Sequence, residues 1–181
     1  AAVEVLQQVL GEGAYTNIAV NKYLRSHELS DMDRRLMTEL VYGTVKAVGT
    51  IDWYLQQCVT RPLDKIDKLV LSILRISVYQ LLYMDKIPAS AACNEAVNLA
   101  RLFTHEGNAK FVNGVLRGLL RKKDSFTFPD ADKETADYIS LAMYHPRWLV
   151  KKWLKNYGRA ETEALCAFDN TPAPVCLRVN T

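Results

Sequence analysis

Residues 64–84 place Ile66, Leu69, Val70, Ile73, Leu74, Ile76, Val78, Leu81 and Leu82 most of the way round a single helix. A helix with that distribution cannot lie on a surface. It has to be surrounded, which needs at least two packed layers of helices. The flanking sequence is punctuated to supply them. Gly11-Glu12-Gly13 ends a first helix, and a second is expected over 17–27. Ser30 caps a third, with Asp33 in the capping-box position; Asp is shorter than the usual Glu, so the box is imperfect. Leu36, Leu40 and Val41 are expected to face the core, and Tyr42, Tyr79 and Tyr83 to belong to it. Gly49-Thr50 is expected to separate this helix from one over 51–59. Arg61-Pro62 breaks the chain again, Ile87-Pro88 ends the central helix, and Ser90 caps the next. With only eight Gly and six Pro in 181 residues, a turn-rich β protein is disfavoured.

The two helices after the central one sort their residues by face. Cys93, Ala96, Val97 and Ala100 fall at i, i+3, i+4 and i+7, a stripe of small residues that lets a partner helix come close. In the following helix Phe111, Val112, Val115, Leu116 and Leu119 share one side, and Lys110, Gly114, Arg117 and Arg121 the other. Gly114 has two readings. A missing side chain lets a phosphate approach the backbone between cations, or Gly114 and Gly118 let a neighbouring helix pack.

The net charge of +3 is modest but unevenly placed. Residues 101–123 hold Arg101, Lys110, Arg117, Arg121, Lys122 and Lys123 against Glu106 alone. Residues 147–159 hold Arg147, Lys151, Lys152, Lys155 and Arg159 and no acid. Each run carries a local excess of +5, the pattern of a nucleic-acid surface, with RNA the leading candidate. A solvated face is the bland alternative.

Several motifs resemble a known family. Asn94-Glu95-Ala96-Val97, Leu99-Ala100-Arg101 and Phe111-Val112-Asn113-Gly114-Val115-Leu116-Arg117 resemble the NusB fold, an all-helical RNA-binding module. Leu40-Val41-Tyr42-Gly43-Thr44-Val45, Ile51-Asp52-Trp53-Tyr54-Leu55 and Arg61-Pro62-Leu63-Asp64-Lys65 are similar to the N-terminal region of RsmB (Sun/Fmu) type ribosomal RNA cytosine-C5 methyltransferases. His145-Pro146-Arg147-Trp148-Leu149 and Leu177-Arg178-Val179-Asn180-Thr181 match that family's linker to its catalytic part. The resemblance implies an all-α NusB-like bundle over 1–124. A small helical linker region over 125–181 follows, ending in an unpaired strand at the start of the methyltransferase part. It implies small-subunit ribosomal RNA as partner, a ribosomal protein as a further candidate contact, and S-adenosylmethionine as cofactor of the full-length parent.

Beyond residue 124, Phe126-Thr127-Phe128-Pro129-Asp130 reads as a linker and 132–143 as a helix. Pro146 suits a first turn and Gly158 a helix stop. Between them Leu149, Val150, Trp153, Leu154 and Tyr157 share one face, and Arg147, Trp148, Lys151, Lys152 and Lys155 the other. Trp148 either stacks on an exposed base or packs onto the preceding domain with lysine stems covering it. A short helix over 160–168 is expected next. Residues 175–180 alternate Val175, Leu177 and Val179 with Cys176, Arg178 and Asn180, the period of a strand whose partner would follow Thr181.

Catalytic signals are scarce. Gly11-Glu12-Gly13 lacks a third glycine at Thr16 and follows a helix, so a dinucleotide site is excluded on context. His27, His105 and His145 are scattered without metal-ligand spacing; His145 reads as a helix-start residue. Enzymes of the resembled family carry Pro-Cys and Thr-Cys motifs and a glycine-rich loop. Here Cys58 follows Gln, Cys93 follows Ala, Cys166 follows Leu and Cys176 follows Val. The expectation is an RNA-binding front end with no catalytic residues, bound cofactor or metal of its own. The unpaired cysteines and absent membrane span suggest a reduced, cytoplasmic setting. The chain opens on Ala1 with Val3, Leu6, Val9 and Leu10 already in helical register, so the natural protein is expected to begin upstream. The alternatives are a stand-alone NusB-type transcription antitermination factor and a helical protein-interaction module.

Overall fold

In the computed structural model, which describes residues 1–173 and 176–178, the apolar helix α5 (Lys68–Tyr83) is the hub of the first unit. It packs against α1 (Ala2–Glu12), α3 (Asp31–Lys46), α4 (Val48–Cys58), α6 (Ala89–Phe103) and α7 (Glu106–Lys122). Val70, Ile73, Leu74 and Val78 are almost completely buried. Their burial is the main favourable term, roughly 1.5–3 kcal/mol per large apolar side chain. Asp67 starts α5 by accepting from the Leu69 and Val70 N–H groups at 3.0 and 3.1 Å. This places the start later than the expected residue 64; Leu63–Lys65 forms a separate 3-10 turn. Arg75 ties α5 to α4 through a two-pronged pair with Asp52, at 2.8 and 2.7 Å.

Helix α2 (Thr16–Ser26) closes a satellite core of Val5, Ala19, Val20, Met37 and Val41 with α1 and α3. Gly13 ends α1 at φ 78°, a left-handed stop that a side chain would strain. Ser30 accepts from the Asp33 N–H at 3.2 Å, and its hydroxyl donates to the Asp33 carboxylate at 2.6 Å. The short Asp turns to the hydroxyl instead of making the second, backbone half of the box.

Four local expectations are corrected. The α3–α4 break falls at Ala47, whose N–H still reaches the Gly43 carbonyl; Gly49 and Thr50 lie inside α4. Glycine in a first turn costs little, so it need not mark the break. Pro88, not Ser90, precedes α6, and Ser90 makes no capping bond. Leu36 and Tyr42 are 41% and 42% exposed, because α3 is covered on one side only. Tyr79 is buried as expected, its hydroxyl donating to Glu39 at 2.5 Å. Gly43 makes that possible: a Cβ there would lie 2.0 Å from the Tyr79 ring.

The chain divides into two compact units, 1–127 and 128–181. The second holds α8 (Thr135–Ala142) and α9 (Arg147–Asp169) around Ile139, Val150 and Cys166. Gly158, at φ 78°, kinks α9 where the stop was expected. Tyr157, assigned to the apolar face, is 58% exposed, in the turn that ends at the Gly158 kink. No strand occurs among the described residues. Cys176, Leu177 and Arg178 have no regular structure, and the rest of the expected strand lies outside the described residues. Alternation offers a face, but a strand also needs a neighbour to complete its ladder.

Candidate nucleic-acid interface

Helix α7 presents the clearest polar face. His105 caps it, its Nδ1 accepting from the Asn108 N–H at 3.4 Å. Ala109, Val112, Val115, Leu116 and Leu119 are buried against α4, α5 and α6. On the α6 side the small stripe does what its spacing suggests: Cys93, Ala96 and Ala100 are all buried, and Val97 half-buried.

With that side covered, Lys110, Gly114, Arg117 and Arg121 are exposed. They span about 16 Å of helix at 1.5 Å per residue. An ideal Cβ on Gly114 or Gly118 meets nothing within 4 Å, so helix packing does not explain either glycine. Arg117 donates to Asn113 Oδ1 at 3.0 Å, which holds its guanidinium along the helix. Arg61, before the 3-10 turn Leu63–Lys65, places its guanidinium 4.6 Å from the centre of the Phe111 ring at the edge of this face. Sequence spacing gave no hint of Arg61, because the contact is purely tertiary.

The other expected cations divide. Arg101 pairs with Glu106 at 3.0 Å, so the acid of this run and one of its bases offset each other. Lys122 is exposed and Lys123 half-buried where α7 ends in the 3-10 turn Lys123–Ser125. In the second unit Lys151, Lys152 and Lys155 are exposed beside Trp148, which is 68% exposed and therefore not covered by lysine stems. Arg147 forms a two-pronged pair with Asp137, and Arg159 reaches Asp132 at 2.7 Å and Glu163 at 2.8 Å. The Arg147 guanidinium holds the Asp137 carboxyl below the ordinary carboxylate range.

Burial pushes the Cys58, Cys93 and Cys166 thiols up, which disfavours the reactive thiolate. His145 is occupied structurally, its Nδ1 at 2.5 Å from the Met143 carbonyl. Among the described residues no group of three or more His, Cys, Asp or Glu could hold a metal, and no helix is long and apolar enough to cross a membrane.

The NusB family profile matches residues 1–121, and a profile described as an RsmF/B-like methyltransferase ferredoxin-like domain matches 145–181. The chain is 39% identical over 180 residues to a probable ribosomal RNA small subunit methyltransferase B of Bacillus subtilis. It is 37% identical over 179 residues to the protein of the same name in Synechocystis. These alignments take in 99% and 97% of the chain and 39% of each relative, so the chain spans about two fifths of their length. A crystal structure of antitermination factors NusB and NusE with dsRNA superposes at a TM-score of 0.61 and 21% identity, covering 66% of this chain and 90% of that one. The crystal structure of PH0851 superposes at 0.71 and 20% identity, over 96% of this chain and 38% of that one. The helical bundle, the profile over its length and the homology to small-subunit methyltransferase B proteins agree: the chain belongs to the NusB family, its NusB domain continuing into a region of the RsmF/B ferredoxin-like kind.

Proposed function

We propose that this chain is the RNA-gripping front part of a small-subunit ribosomal RNA cytosine-C5 methyltransferase. S-adenosylmethionine and the catalytic cysteines would be held by the parent protein outside these residues. The observation that carries the reading is the open α7 face. Three exposed cations flank two glycines whose missing side chains leave the backbone approachable. Phosphate contacts of that kind position an RNA without reading its sequence. Lys151, Lys152 and Lys155, with Trp148, supply a second group of contacts, and Lys122 and Lys123 extend the first. Arg101 and Arg147 serve mainly in ion pairs.

A stand-alone antitermination factor remains the second reading, favoured by the likeness of the bundle to solved NusB structures. The RsmF/B-like match over 145–181 and the methyltransferase names of the relatives favour the first. Filter binding of the chain to a small-subunit ribosomal RNA fragment across a salt series tests the RNA assignment. A steep decline of affinity with salt is expected, and charge reversal at Lys110, Arg117 and Arg121 should flatten the slope by about three units. A salt-independent interaction would point to a module that binds only protein. Calorimetric titration with S-adenosylmethionine should show no micromolar binding.

A further inference from the structure

We infer that the solvent face of α3 is a further RNA contact, one that stacks an unpaired base on Tyr42; this rests on the RNA-binding reading of the chain. Arg35, Tyr42 and Lys46 lie at i, i+7 and i+11, within about 20° of one line along the helix at 100° per residue. All three are exposed. Neither cation has a carboxylate at ion-pair distance among the described residues. Beside them an open groove of about 460 Å³ is lined by Leu24, Arg34, Arg35, Thr38, Glu39 and Tyr42. Arg34 is fixed in its wall, donating to the Leu24 carbonyl at 3.2 Å.

Glu39 is the one carboxylate between Arg35 and Lys46. The Tyr79 hydroxyl donates to it at 2.5 Å, through the gap that Gly43 leaves. That bond draws the acid towards the helix pair and leaves the aromatic ring flanked by cations. An exposed ring between cations, beside a groove, is the chemistry of a stacking platform for single-stranded nucleic acid. Helix α3 packs on α1, α2, α4 and α5, and α7 on α4, α5 and α6, so the two faces are separate patches of one unit. An RNA engaging both would be held at two points, through its phosphates on α7 and through an unpaired base on α3.

The test compares an RNA hairpin with an oligoadenylate loop against a fully paired duplex of equal length, using the whole chain. Tyr42→Ala should weaken hairpin binding about tenfold, the loss of one base–aromatic stack, and leave duplex binding within twofold. Tyr42→Phe should bind like the unaltered chain. Glu39→Gln, which keeps an acceptor for Tyr79, should tighten hairpin binding. Thermal melts establish that each variant is folded. If Tyr42→Ala binds the hairpin normally while reversal of the α7 cations abolishes binding, the α3 site is overturned and the α7 reading stands. Equal losses on hairpin and duplex would also overturn base stacking. If the unaltered chain binds neither RNA, both readings fall.

Discussion

Two stretches of this chain carry the same local charge excess of +5, residues 101–123 on and around α7 and residues 147–159 on α9, yet the fold uses them differently. On α7 the exposed Lys110, Arg117 and Arg121 face solvent beside open glycine positions, while Arg101, in the last turn of α6, pairs with Glu106. On α9 both arginines are engaged by carboxylates outside the basic stretch, Asp132, Asp137 and Glu163, and the lysines remain. Counting charge along the sequence therefore overstates the second face. Carboxylates from other turns and helices cannot be seen in a linear run.

The largest expected effect would break the comparison outright. Reversing Lys110, Arg117 and Arg121 should remove most RNA affinity, whereas reversing Lys151, Lys152 and Lys155 should remove less. Filter binding at one salt concentration ranks the two, and an equal loss would mean that the faces contribute alike. Next comes the packing that exposes the α7 face. Cys93 is buried in the α6 stripe, so Cys93→Leu should destabilise by roughly 1–3 kcal/mol through overpacking. Cys58→Ser, at a half-buried site, should cost much less. Equal melting temperatures for the two variants would show that the stripe tolerates volume.

Two smaller effects sharpen the contrast. Gly114→Ala should raise stability by about 0.5–1 kcal/mol, because it improves helix propensity where nothing obstructs the new methyl. The same change should weaken RNA binding if a phosphate approaches the backbone there. A melt and a binding curve moving in opposite directions would separate that role from packing. Arg147→Ala should cost little stability, as is typical of an exposed pair, with little change in RNA affinity. Asp137 titrates below its ordinary range when folded, so its stabilisation is present above that range and is lost as pH falls through the lowered value. Acid melts should show that loss in the unaltered chain and a smaller one in Arg147→Ala.

The sequence by itself determined the helical class, the central position of α5 and the division of α7 into faces. Those features depend on the order of apolar and polar side chains, and periodicity within one helix is a local property. It also marked the left-handed turns at Gly13 and Gly158, where backbone chemistry leaves few other residues at ease. Tertiary structure alone decided which faces stay open. Leu36 and Tyr42 belong to an apolar-looking helix yet are exposed, because α3 packs on its first-unit neighbours with its opposite side. Gly43 reads as an ordinary helical glycine until the Tyr79 ring is seen occupying the space of its missing side chain. Gly114 and Gly118 look the same in sequence, yet among the described residues a side chain there would meet nothing within 4 Å. Ion pairing divided the cations in the same way. Coverage and pairing depend on what other helices bring within a few ångströms, and that information is spread across the whole chain.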